Sequence, residues 1–175
     1  GGGSFSRALD ALRTAIASVD PKNRRGDLLY YTSRLAMLAA SSGDLRTAEA
    51  ALAETESLYA ETPRWRNYPF PKWLDVYHKA SVAQAQAAVL VAKGRQGPAE
   101  ALYRRMIAVL TAEPAYSRGL WPNALQVAMA STLIAQGRLL EAESAARKAV
   151  LIALAQRGRY ARYTAWVLQT LVRVI

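Results

Sequence analysis

One histidine, no cysteine and thirteen carboxylates bound the chemistry this chain can carry. His78 sits in the run Trp73-Leu74-Asp75-Val76-Tyr77-His78-Lys79. It has no cysteine and no second histidine with which to complete a zinc site or a Cys–His nucleophile pair. A lone helical histidine of this kind is expected to be a packed or surface residue. The carboxylates are no better placed for acid–base work. Glu141 and Glu143 are two apart, so they point to different sides of a helix. Glu54, Glu56 and Glu61 share a helix with no metal-binding or acid–base partner. No phosphate-cradling glycine pattern and no Gly-x-Ser-x-Gly elbow is present. The residues therefore point to a chain with no catalytic site, metal or cofactor of its own.

What remains is recognition chemistry. Arginines alternate with aromatic rings in three runs: Pro63-Arg64-Trp65-Arg66-Asn67-Tyr68-Pro69-Phe70-Pro71-Lys72-Trp73, Tyr116-Ser117-Arg118-Gly119-Leu120-Trp121-Pro122, and Arg157-Gly158-Arg159-Tyr160-Ala161-Arg162-Tyr163. With Trp166 just beyond, they place Arg64, Trp65, Arg66, Tyr68, Trp73, Arg118, Trp121, Arg159, Arg162 and Trp166 on one expected edge of the fold. Such interleaving suits acidic peptides or nucleic acid. The structural alternative is that the rings plug gaps between helix ends. The three prolines of the first run limit helix there. Charge follows the same division. Residues 1–61 hold seven Lys/Arg against eight Asp/Glu, whereas residues 62–175 hold sixteen against five. Eighteen of the 23 basic residues are arginine. That asymmetry fits a surface for an acidic partner; solvated faces in a product of a GC-rich genome are the plainer alternative.

Helices must position these residues. The hydrophobic fraction is 52%, much of it alanine, the best helix former and a poor strand residue. No β-branched run alternates over a strand length. Periodicity and glycine placement predict helices at 5–19, 26–42, 45–61, 72–93, 97–112, 120–136, 139–156 and 161–175. No stretch approaches ~18 apolar residues without a charge, so no membrane span is expected. Gly1-Gly2-Gly3-Ser4 reads as an expression linker, which leaves 5–175 as one helical domain. The last helix stops on Val172-Arg173-Val174-Ile175 without a cap, as in a segment of a longer array.

Three segments align without a gap: Gly43-Asp44-Leu45-Arg46-Thr47-Ala48-Glu49-Ala50, Gly94-Arg95-Gln96-Gly97-Pro98-Ala99-Glu100-Ala101 and Gly137-Arg138-Leu139-Leu140-Glu141-Ala142-Glu143-Ser144. Each glycine ends one apolar-periodic run, where a left-handed residue is needed. Each Ala-Glu pair, five residues on, opens the next. The hairpins so defined cannot bury their faces alone and must stack, which predicts a right-handed α-solenoid of about eight helices.

The Gly-x-x-x-x-Ala spacing, with small residues four and seven positions further on, resembles the tetratricopeptide repeat. The matching residues are Gly137, Ala142, Ala146 and Ala149, with Ala130 before them, and Gly43, Ala48, Leu52 and Thr55, with Ala36 before them. A tryptophan early in the first helix and a proline after the second are missing. The glycines are 51 and 43 residues apart, against about 34 in the usual repeat. The longer period resembles the kinesin-light-chain-like variety. The fold implied by this resemblance lines its concave groove from first helices, here with Tyr30, Ser33, Met37, Ser81, Gln84, Ala88, Val127, Ser131 and, by extrapolation, Trp166, Gln169 and Arg173. A further resemblance rests on Gly137–Glu143, Ala155–Tyr160 and Thr164-Ala165-Trp166. These look like the repeat region of bacterial proteins that carry a C-terminal CHAT caspase-like protease domain, whose catalytic residues would lie beyond Ile175.

The expected function is a protein-interaction scaffold that binds a protein or peptide, acidic in character, or regulates an adjacent domain of the same parent chain. A nucleic-acid-binding module using the basic two-thirds is the alternative. The cytoplasm is the expected compartment, and the oligomeric state is left open.

Overall fold

The computed structural model describes residues 2–20, 22, 24–61, 72–117, 119–157 and 161–175, without the side chains of 2–4 and 157. Those residues are all-helical, with no strand among them. Among the described residues nine helices follow one another: α1 Gly2–Ser18, α2 Arg25–Ser42, α3 Leu45–Ala60, α4 Lys72–Ala92, α5 Gln96–Ala112, α6 Pro114–Ser117, α7 Leu120–Ala135, α8 Leu139–Arg157 and α9 Arg162–Val172. Eight lie where periodicity places them. The single turn α6 was not expected. Pro114 supplies a preset φ at its first position, and Tyr116 N and Ser117 N both donate to Glu113 O at 2.9 Å. α9 also ends earlier than expected, at Val172, and runs into a closing turn.

The three aligned glycines close their helices in one way. Gly43, Gly94 and Gly137 have φ of 85°, 73° and 72°, the only positive values among the described residues. After each, the next N–H reaches back to a carbonyl five residues earlier: Asp44 to Ala39 (3.0 Å), Arg95 to Leu90 (2.8 Å) and Arg138 to Leu133 (3.0 Å). This closure satisfies carbonyls that the helix end would leave without a partner. Asp44 then caps α3 by accepting from Thr47 N at 3.1 Å. Hydrogen bonds from the Thr47 side chain and backbone N–H hold its carboxyl below the usual value. The alanines of the three Ala-Glu pairs, Ala48, Ala99 and Ala142, are fully buried.

The helices gather into two compact units, Gly1–Arg95 and Gln96–Ile175. In the first, α2 packs against α1, α3 and α4, and α3 also meets α4. Its core joins Leu9, Leu35, Ala36, Ala39, Ala48, Ala51, Ala85 and Val89. Thr55 donates to Thr32 at 3.0 Å, and Thr32 in turn donates to Leu28 O at 3.0 Å, so two fully buried hydroxyls join α3 to α2 at no cost in unmet polarity. His78, on α4, is buried against Gly26 of α2, where a Cβ would stand 3.5 Å from its Nε2.

In the second unit α7 packs against α5 and α8, and α8 against α9. Val127, Ala149, Val150, Ala153 and Val167 form one core cluster. Asn123 Nδ2 donates to Ala149 O at 3.0 Å, and Tyr163 Oη donates to Leu120 O at 3.2 Å. These bonds tie α8 and α9 to the first half of α7.

Candidate interaction surface

On the first unit, three of the expected lining residues, Tyr30, Met37 and Ala88, are partly open to the surface. Tyr30 and Met37 are half-buried on α2. Tyr30 stacks on Tyr77 of α4 with ring centres 6.2 Å apart, and the Arg34 guanidinium lies 5.1 Å above its ring. The same guanidinium is 3.8 Å from the Met37 sulfur. Arg34 and Tyr77 were not singled out in the sequence, although Arg34 continues the helical stripe between Tyr30 and Met37. Ser33, Ser81 and Gln84 are buried instead of exposed. Ser33 donates to Tyr30 O at 2.7 Å. Helices as alanine-rich as α2 and α4 approach closely, and short polar side chains near their contact line are covered. Ala88 is half-buried.

On the second unit, Val127 belongs to the core, and Ser131 turns its hydroxyl back to Val127 O at 3.2 Å. Trp166 and Gln169 are exposed on α9, and Arg173 is exposed in the turn after it. Of the basic-aromatic edge, Trp73 and Arg162 are exposed. Trp121 is half-buried, edge-on to Tyr116 at 5.7 Å, and Trp166 leans on Tyr163 at 5.5 Å. Arg64, Trp65, Arg66, Tyr68, Arg118 and Arg159 lie outside the described residues.

Glutamates of the Ala-Glu pairs grip the turn that ends the next first helix. Glu49 pairs with Lys93, one residue before Gly94. Glu100 occupies the same place in the second unit and accepts from Gln136 Nε2 (3.0 Å) and Arg138 Nη1 (2.6 Å), on either side of Gly137. Its other oxygen accepts from Arg104 Nε at 2.8 Å. Glu141 completes the cluster by binding Arg138 through two hydrogen bonds, of 2.7 and 2.6 Å. Burial pushes the Glu100 carboxyl up, but the hydrogen bonds from Gln136 and Arg104 and the charges of Arg138 and Arg104 outweigh it and hold the group below the ordinary carboxylate value. On α5, burial pushes the Tyr103 phenol up to about 12.

Beside this cluster a cleft of about 260 Å³ opens in the second unit. Its floor is Gln126, Met129 and Leu133 of α7, and its walls carry Arg104 of α5 and Glu141 and Lys148 of α8, with Glu141 already engaged by Arg138. A smaller cavity of about 110 Å³ adjoins it at Asn123, between Ile107 of α5 and Ile152 of α8. Gln126 and Lys148 line both. Ser131 is five residues from Gln126, roughly 140° round the helix, so the cleft and the expected lining use different faces of α7. Sequence reasoning missed these residues because a polar residue on a helix carries no mark of which neighbour walls it in. The one available signal was the recurrent Ala-Glu pair.

Among the described residues, no group of three or more His, Cys, Asp and Glu side chains could hold a metal ion. No helix is long and apolar enough to cross a membrane. No protein-family model matches the sequence, and no curated protein matches it either. The fold is similar to that in the crystal structure of BtubC (BKLC) from P. vanneervenii, with a TM-score of 0.66 at 21% identity. The match covers 98% of this chain and 63% of that one, so the chain spans less than two thirds of that protein's length. At this identity the likeness is one of fold.

Proposed function

We propose that the chain is a solenoid segment of tetratricopeptide-type hairpins that acts as a protein-interaction scaffold, holding a partner or regulating an effector domain attached to the same chain. The observation that carries this reading is the threefold recurrence of one turn, at Gly43, Gly94 and Gly137, each with the same backward hydrogen bond and each followed by a fully buried alanine. Repeats built this way present long continuous helix faces, and such arrays use those faces to bind. Exposed Trp73, Trp166, Leu140 and Leu151 supply apolar contact area of the kind that recognition uses.

The test is selection of a displayed random-peptide library on the immobilised chain, run beside a labelled single-stranded RNA. We expect enriched peptides with dissociation constants on the order of micromolar. We also expect RNA retention to vanish as salt rises to about 150 mM. An unenriched library, with RNA held at that salt, would replace the scaffold reading by the nucleic-acid one. The basic excess of the second unit, ten Lys/Arg against four Asp/Glu, favours that second reading over any other.

A further inference from the structure

Resting on the scaffold reading, we propose that the cleft between α5, α7 and α8 docks an acidic peptide segment in extended conformation. Two buried amides define what the cleft requires. Gln126 is only 7% exposed, lines both cavities and makes no hydrogen bond among the described residues. Asn123, three residues earlier on the same face of α7, uses its Nδ2 on Ala149 O, while its Oδ1 is buried with no hydrogen-bond partner. Buried polar groups are nearly always satisfied, and those left open mark a place for a ligand. One open acceptor and one open amide call for a ligand that offers both an N–H and a C=O at short intervals. A peptide main chain in extended form does so.

Charge sets the character of its side chains. Arg104 is held by Glu100 and Glu141, Arg138 by the same two carboxylates, and Arg147 by Glu143. Lys148, at the seam of the two cavities, has no acidic partner among the described residues. An aspartate or glutamate of the incoming segment fits beside it. An apolar side chain fits over Met129 and Leu133. A nucleic-acid backbone needs a row of free cations, and here those at the Glu100 end are already neutralised.

The experiment uses the whole chain and a fluorescein-labelled decapeptide of alternating leucine and glutamate, with the leucine–lysine decapeptide and a single-stranded RNA as competitors. Anisotropy should show binding of the acidic peptide and displacement by neither competitor. Lys148→Glu should weaken binding by about tenfold or more, and Lys148→Ala and Gln126→Leu each by several-fold. Circular dichroism should show helicity and melting unchanged in both Lys148 variants. Arg46→Ala, exposed on α3 of the first unit, should leave binding unaltered. Unaltered affinity in both Lys148 variants, binding lost in Arg46→Ala, displacement by RNA, or no binding of the acidic peptide would each overturn the proposal. Library peptides enriched on the chain in any of those cases would leave the scaffold reading standing.

Discussion

Glu49 and Glu100 occupy the same place in two successive repeats, and each reaches forward to the glycine turn of the next hairpin. The first does so in the open. The Glu49 side chain is 50% exposed and pairs with Lys93, itself 41% exposed. The second is 9% exposed and gathers Arg104, Gln136 and Arg138 around it. One sequence position thus yields a surface ion pair in one unit and a buried polar cluster in the other. The difference follows from what surrounds each. The first unit holds thirteen Lys/Arg against nine Asp/Glu, a smaller excess for its size than the ten against four of the second. In the second, arginines outnumber carboxylates, so Glu100 and Glu141 are shared among several cations, and Lys148 is left without a carboxylate.

The largest effects should come from the cores. Leu29→Ala in the first unit and Leu125→Ala in the second remove fully buried side chains, and each should lower unfolding free energy in urea by about 2–5 kcal/mol. A cost below about 1 kcal/mol at Leu125 alone would mean that the helices around the cleft relax into the space.

The two glutamates separate next. Glu100→Gln should cost about 1–3 kcal/mol, because it removes the charge that two arginines share in a mostly buried setting. Glu49→Gln should cost less than about 1 kcal/mol. The pH dependence has a definite sign. The Glu100 carboxyl is held below its ordinary value in the fold. Its contribution is therefore fully present above the unfolded value and is lost as pH falls through the lower folded one. Wild type should lose stability in acid more steeply than Glu100→Gln; parallel acid melts would erase the contrast between the units.

The smallest effect tests what the units share. Gly43→Ala and Gly137→Ala place a side chain in a left-handed conformation with open space around the new Cβ, so the cost is in the backbone alone. Each should be about 1 kcal/mol by thermal melting. Unequal values would show that the two turns are less alike than their dihedrals.

Much of this was legible beforehand, and the residues say why. The three glycine turns could be read because a positive φ is a local demand that few residues meet. The buried Ala48, Ala99 and Ala142 could be read because close helix approach demands a small side chain at a fixed distance from the turn. Of the residues expected to line one groove, Tyr30 and Met37 are half-buried, whereas Ser33, Ser81 and Gln84 are buried. Helical spacing alone gives an angle round an axis, whereas exposure depends on how near the next axis comes. Gln126, Asn123 and Lys148 had no local signature at all.

By itself, then, the chain determined its helices, their glycine closures and the alanine faces along which they meet, since each rests on interactions within a few residues. Only tertiary structure decided that Glu100 is buried among cations from 4 to 38 residues away while Glu49 stays in water. It alone decided, too, that three helices leave a cleft beside that cluster. Burial and cavity volume belong to the space left between elements, and that space is shaped by side chains far apart in sequence.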